Sequence, residues 1–342
     1  MMGFFRKGLS LIALALLFFP AFVLADNISG AGATFPYPVY VKWAEAYRKE
    51  TGIGLNYQSI GSGAGIKQIK EKTLTFGATD QPLPFKELEE NGLVQWPMII
   101  GGVVPIVNIK GINANELVLD GALLAKIYLG EVSYWDDPSI AKLNPNIKLP
   151  HQPVAPVQRA DGSGTNFLFT HYLSAVSPEF ASKVGVSTLV QWPAGFATKG
   201  NEGVASMTAR TQGAIGYVEF SYAQQSKMAT VKMINKAGKV VAPNMDSFAA
   251  AAENADWKNA PGFYLILTDQ SGAKSWPITG ASFILMRKQP IDAKQSKQAL
   301  DFFAWAFQNG GEMARSLDYI PMPANAVPLI KKSWEQIKVQ SK

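Results

Sequence analysis

The sequence predicts an α/β protein of two domains built on mainly parallel sheets, and three observations predict it. Short apolar strands alternate with amphipathic helices along most of the chain. Its 342 residues suit about two domains at ~150 residues each. No low-complexity linker divides them, so the chain is expected to pass between domains on strands, as hinge-closing proteins do.

In chain order, SGAGATFPYPVYVKWAEAYRKETG opens the pattern. Val39, Tyr40, Trp43, Ala44 and Tyr47 recur at helical spacing. Thr34 is the expected N-cap, Pro36 suits the opening turn and Gly52 ends the helix. IGLNYQSIGSGAGIKQIKEK reads as a strand to Ile60, a Gly61-Ser62-Gly63 turn, and a helix carrying Ile66 and Ile69. LTFGATD is a strand ending on Asp80. QWPMIIGGVVPIVNI is an apolar run interrupted by Gly101-Gly102 and Pro105, expected to form buried strands and a crossing. Asp136-Asp137 before Pro138 reads as a helix-capping turn. The first grammar then returns: VAPVQR is a strand, DGSGT a loop, and NFLFTHYLSAV a helix. TQGAIGYVEFSYAQQ follows as turn, strand and helix start. SWPITGASFILMRK is a further strand, with QALDFFAWAF and VPLIKKSWEQI helical.

Composition narrows the function. Apolar residues make up 47% and charged residues 17%, enough for a buried core. The net charge of +6 is mild and unclustered, without the Lys/Arg stripes that nucleic-acid binding needs. Arg6 and Lys7, the apolar run Leu9–Phe19, the break at Pro20 and the Val23-Leu24-Ala25 end read as a cleavable export signal. An uncleaved anchor is the alternative, since Gly8 to Ala25 approaches the length of a span. The absence of cysteine excludes disulfides, thiol catalysis, Cys-based zinc sites and a lipid-modified Cys anchor.

GAGATF (30–35) and GSGAGI (61–66) lack the third glycine of a dinucleotide fingerprint, and no P-loop motif occurs. What survives is generic physics: three glycine-rich loops enter helices, each with a hydroxyl residue (Thr34; Ser62; Ser163 with Thr165). Exposed N–H groups and the helix dipole make such loops candidate anion sites. The alternative is a secreted hydrolase with Ser163 as nucleophile. It needs an oriented base, and the only histidines are His151 and His171. G-x-S-x-G and HExxH are absent. No catalytic residue, metal or cofactor is therefore expected. Asp80 is an ordinary turn residue or something sharper. In an anion site, an acceptor-only carboxylate tolerates a ligand that brings a proton, such as hydrogen phosphate, and opposes sulfate.

GAGATFPYPVY, NYQSIGSGAGIKQI, FGATDQPL, IGGVVPIVNI, LGEVSYWDD, RADGSGT and GAIGYVEF, in this order, closely resemble the periplasmic phosphate-binding proteins of bacterial high-affinity phosphate ABC transporters. The likeness runs over essentially the whole chain after the signal. It implies the type II periplasmic binding protein fold, with two α/β lobes, two hinge crossings and a ligand cleft between them. It places a signal peptide at 1–25, one lobe at 26–100 and 273–342, and the other at 101–272. The crossings would lie at Ile99–Asn108 and near Trp276–Phe283. It further implies that Ala33, Thr34 and Phe35 supply backbone donors and a hydroxyl, as does Ser62. Asp80 would accept the phosphate proton, and Arg159, aimed by Asp161, would pair with the charge. Ser163, Gly164 and Thr165 would cap the anion at a helix start. Gly63 stands where the family often has serine. The expected protein is a monomeric periplasmic receptor that delivers inorganic phosphate to permease subunits served by a cytoplasmic ATPase.

Overall fold

The computed structural model describes residues 28–339. The signal-peptide reading of 1–25 and a cut at Ala25 lie outside the described residues.

The sheet that organises the molecule is held together by one strand, Leu93–Val107, whose fifteen residues are all buried. Residues Leu93 to Gly102 pair antiparallel with Thr279–Arg287. The same strand then continues, and Val103 to Val107 pair antiparallel with Ala214–Glu219. Outward from Thr279–Arg287, the first half-sheet adds Phe76–Thr79, Ile28–Gly32 and the edge strand Leu55–Ser59. Outward from Ala214–Glu219, the second adds Ala155–Arg159 and Phe196–Thr198. The outer pairs of each half are parallel except where Thr279–Arg287 joins. The expectation of mainly parallel sheets therefore needs correcting at the centre, where the strand shared by both halves pairs antiparallel on each side.

Reading the 95–109 segment as interrupted strands is likewise corrected. Pro97 sits where the register shifts between Ser282 and Phe283, a bulge that spares the ladder the missing N–H. The two glycines are there for close approach. A Cβ on Gly102 would lie 2.1 Å from the Phe248 ring, and one on Gly101 2.9 Å from that of Phe35. The strand runs on because aromatic rings cover it at the glycines.

The helices start and stop largely as their residues dictate. Tyr37–Thr51 buries Val39, Tyr40, Trp43 and Tyr47 and ends at Gly52 in the left-handed conformation. Its N-cap is Pro36, with no side-chain cap. Thr34 is therefore not the cap; its hydroxyl is engaged by Asn201. Asp137 caps Pro138–Leu143 as its position before proline predicts. Trp43, Trp96 and Phe303 pack on the first half-sheet and Tyr128, Trp135 and Phe169 on the second, within one apolar core. Burying each such side chain contributes ~1.5–3 kcal/mol. Among the described residues no helix is long and apolar enough to cross a membrane.

Candidate functional site

Four helix beginnings meet where the half-sheets face each other. The Ala33–Phe35 loop leads into Tyr37–Thr51, and Ser62 opens Ser62–Lys70. From the other half, Ser163 caps Gly164–Val176, and Gly200–Arg210 begins one residue before Asn201. Strands deliver all four, so their amide-rich positive ends converge. Ala33, Thr34, Phe35, Ser62, Asp80, Arg159, Ser163, Gly164 and Thr165, the residues the sequence singles out, are all buried. Asp80 follows the strand Phe76–Thr79, Arg159 ends Ala155–Arg159, and the other seven lie at these helix beginnings. The halves are closed on one another. Gly63 N donates to Gly162 O at 2.8 Å, Tyr222 Oη to Thr34 O at 2.7 Å, and Gly164 N to Ser62 Oγ at 3.0 Å.

The hydroxyl groups share one polarity. Ser62 Oγ accepts from Asp80 N at 3.1 Å as well as from Gly164 N. Thr34 Oγ1 accepts from Asn201 Nδ2 at 2.6 Å, and Thr165 Oγ1 from the same nitrogen at 3.1 Å. Ser163 Oγ accepts from Asn166 N at 3.1 Å. Glu219 N donates to Asn201 Oδ1 at 2.9 Å, which settles which end of that amide carries the hydrogens. The protein thus uses these four hydroxyls as acceptors and leaves each its hydrogen to give. Asn201 was not found from sequence. Its signal was present, a helix start in KGNEG, but without a hydroxyl it did not match the other loops.

Two charged groups complete the arrangement. Arg159 is buried, and Asp161 grips it from one side: Nε to Oδ1 at 2.8 Å and Nη2 to Oδ2 at 2.6 Å. This two-pronged pair fixes the guanidinium plane and leaves Nη1 buried without a partner. Asp161 also accepts from Gly200 N at 3.2 Å. Asp80 is buried with neither carboxylate oxygen hydrogen-bonded. Burial pushes its pKa up to about 7, against the pull of Ser282, Arg159 and Ser62. Those two hydroxyls lie beside the carboxylate without making a hydrogen bond to it. Asp80 and Ser62 reach the opposite half so closely that a Cβ on Gly164 would lie 2.5 Å from both.

Ser163 has no base. His171 places Nδ1 2.7 Å from Thr268 Oγ1, and His151 pairs with Asp136 on the surface. The serine oxygen is occupied as a helix cap, so the hydrolase reading loses the geometry it required. Among the described residues no cluster of metal-ligating side chains occurs.

A profile described as "PBP superfamily domain" matches residues 24–309. The chain is 52% identical over 308 residues to a phosphate-binding protein PstS of Xylella fastidiosa strain 9a5c, covering 90% of this chain and 85% of that one. It is 48% identical over 314 residues to PstS of Haemophilus influenzae, covering 92% and 94%. Among solved structures, a high-affinity periplasmic phosphate-binding protein, PfluDING, bound with phosphate, superposes with a TM-score of 0.71. That match has 20% identity and covers 92% of this chain and 99% of that one.

Proposed function

This chain belongs to the PBP superfamily and, within it, to the PstS phosphate-binding proteins, and from that premise we propose a specific receptor function. It binds inorganic phosphate between two lobes and delivers it to a phosphate ABC transporter. The observation that carries the reading is the polarity of the cleft. Four hydroxyl hydrogens and the free Nη1 of Arg159 are offered to a ligand, against a single buried acceptor, Asp80. Hydrogen phosphate fits that inventory, with lone pairs for every donor and one O–H for Asp80. Sulfate has no hydrogen to give, and facing it with an ionised Asp80 costs at least ~1–3 kcal/mol.

In this reading Thr34, Phe35, Ser62, Ser163 and Thr165 surround the anion with neutral donors. Ala33, whose amide donates to Ala78 O at 2.9 Å, and Gly164, whose amide donates to Ser62 Oγ at 3.0 Å, shape the loops instead of donating as expected. Arg159 supplies the charge, Asp161 aims it, and Asp80 tests for the proton. The lobes are residues 26–100 with 273–342, and 101–272. The protein works as a monomer in the periplasm, exported by its N-terminal segment, and meets permease subunits powered by a cytoplasmic ATPase. Binding and release are its whole task; no bond of the ligand is broken.

Equilibrium dialysis with labelled phosphate, competed by sulfate, tests this. Phosphate is expected to bind far more tightly. Asp80→Asn, whose amide presents hydrogens to either anion, is expected to narrow the preference by about 10- to 100-fold. Equal affinity of the unaltered protein for both anions would sink the reading.

A further inference from the structure

Glu219 is a second fully buried carboxyl group, set behind the anion site and outside it. It ends Ala214–Glu219 directly opposite Val103, where the shared strand leaves one half-sheet for the other. Its Oε2 lies 2.9 Å from Ser221 N and 2.7 Å from Tyr319 Oη. Tyr319 Oη lies at the same time 2.6 Å from the carbonyl oxygen of Phe35. A phenol has one hydrogen, whereas a carbonyl and an ionised carboxylate have none. With Glu219 ionised, one of these two short contacts would press bare oxygens together. A hydrogen on Oε2 resolves both: Glu219 donates to Tyr319, and Tyr319 donates to Phe35.

We infer that Glu219 is held as a neutral carboxylic acid that, through Tyr319, positions the Phe35 loop of the anion site. Its surroundings agree. Burial pushes its pKa well up, and the charges acting on it, Asp318 and Asp80, are both negative. The phenols of Tyr319 and Tyr222 are themselves raised by burial and stay neutral. Gly101 closes over the group, a Cβ there standing 3.2 Å from Oε1. Neutrality suits the location, because a second carboxylate charge near Asp80 would oppose an incoming anion. Glu219 is thus a positioning residue whose proton is part of the structure.

The role in binding rests on the phosphate reading; the proton does not. In protein labelled with carbon-13 at the glutamate carboxyl, the Glu219 resonance is identified by its loss in Glu219→Gln, or by proximity to the Tyr319 ring should that variant not fold. It is expected to hold the protonated position through neutral pH while exposed glutamates titrate in acid. A resonance at the ionised position at neutral pH overturns the inference. In dialysis, Glu219→Gln is expected to weaken phosphate binding, since no single amide atom can both accept from Ser221 N and donate to Tyr319, but to leave its pH profile unchanged, because neutral replaces neutral. Tyr319→Phe, which keeps the ring and removes the relayed hydrogen, is expected to weaken binding by about tenfold. A pH profile shifted in Glu219→Gln refutes neutrality, and unaltered binding in Tyr319→Phe refutes positioning. Unaltered protein that binds no phosphate refutes the receptor reading alone, since the resonance is read without ligand.

Discussion

Asp80 costs the folded protein stability, a cost that in the proposed receptor accompanies discrimination. Its carboxylate is desolvated and unpaired, so the folded protein without anion holds a proton there up to about pH 7, against an ordinary value of 3.8. Between those values the folded state binds more protons than the unfolded one, so stability falls as pH rises across that window and the whole penalty is present above it. Asp80→Asn is therefore expected to raise the Tm of phosphate-free protein at about pH 8, by up to a few kcal/mol of stability. The gain should shrink as pH falls through about 7 toward 4, as thermal melts across pH will report; a gain independent of pH would refute the assignment. Asp80 was visible in the sequence as a strand-end carboxylate, but its unpartnered oxygens were not. Those depend on Ser62, Ser282 and Arg159 arriving from three separate segments.

At the scale of elements, the start of Gly164–Val176 sets two effects against each other. Alanine at Gly164, the first residue of the helix, gains less than the ~1 kcal/mol of an interior glycine-to-alanine change. Its Cβ would nonetheless stand 2.5 Å from Asp80 Cβ and Ser62 Oγ, short side chains with little room to swing aside. The relief is for the lobes to part. Gly164→Ala is therefore expected to leave the Tm of the ligand-free protein level or slightly raised while weakening phosphate binding at least about tenfold. Calorimetric titration beside a melt separates the two; full affinity with normal stability would show the cleft is less tight than described. Glycine before a helix could be recognised from sequence as a candidate anion loop. That this glycine also admits the opposite lobe could not, because the clash lies between residues about a hundred positions apart.

Taken whole, the molecule is two half-sheets on one strand, closed by hydrogen bonds between Gly63 and Gly162, Ser62 and Gly164, Thr34 and Asn201, and Thr34 and Tyr222. A ligand bound by both halves adds its binding energy to closure. At ~1,000 times Kd, phosphate is expected to stabilise the protein by ~4 kcal/mol and raise Tm by roughly 5–10 °C. Sulfate at the same concentration should do far less, and equal shifts from both anions would argue that neither is bound selectively.

The sequence by itself determined the alternation of strands and helices, the glycine-rich loops at helix starts and the motif order that identifies the family. These are local properties, set by periodicity, φ freedom and capping within a few residues of chain. Only the tertiary structure decided that residues 93–107 form one unbroken strand, that Thr34 serves Asn201 and not its own helix, and that Glu219 Oε2 and Phe35 O both meet Tyr319 Oη. Each of these depends on which distant group reaches a buried position, a ring over a glycine or a partner for a polar atom, and that is settled when the halves pack. Burial makes every such choice obligatory, since an unpaired polar group inside the protein costs what water would have supplied.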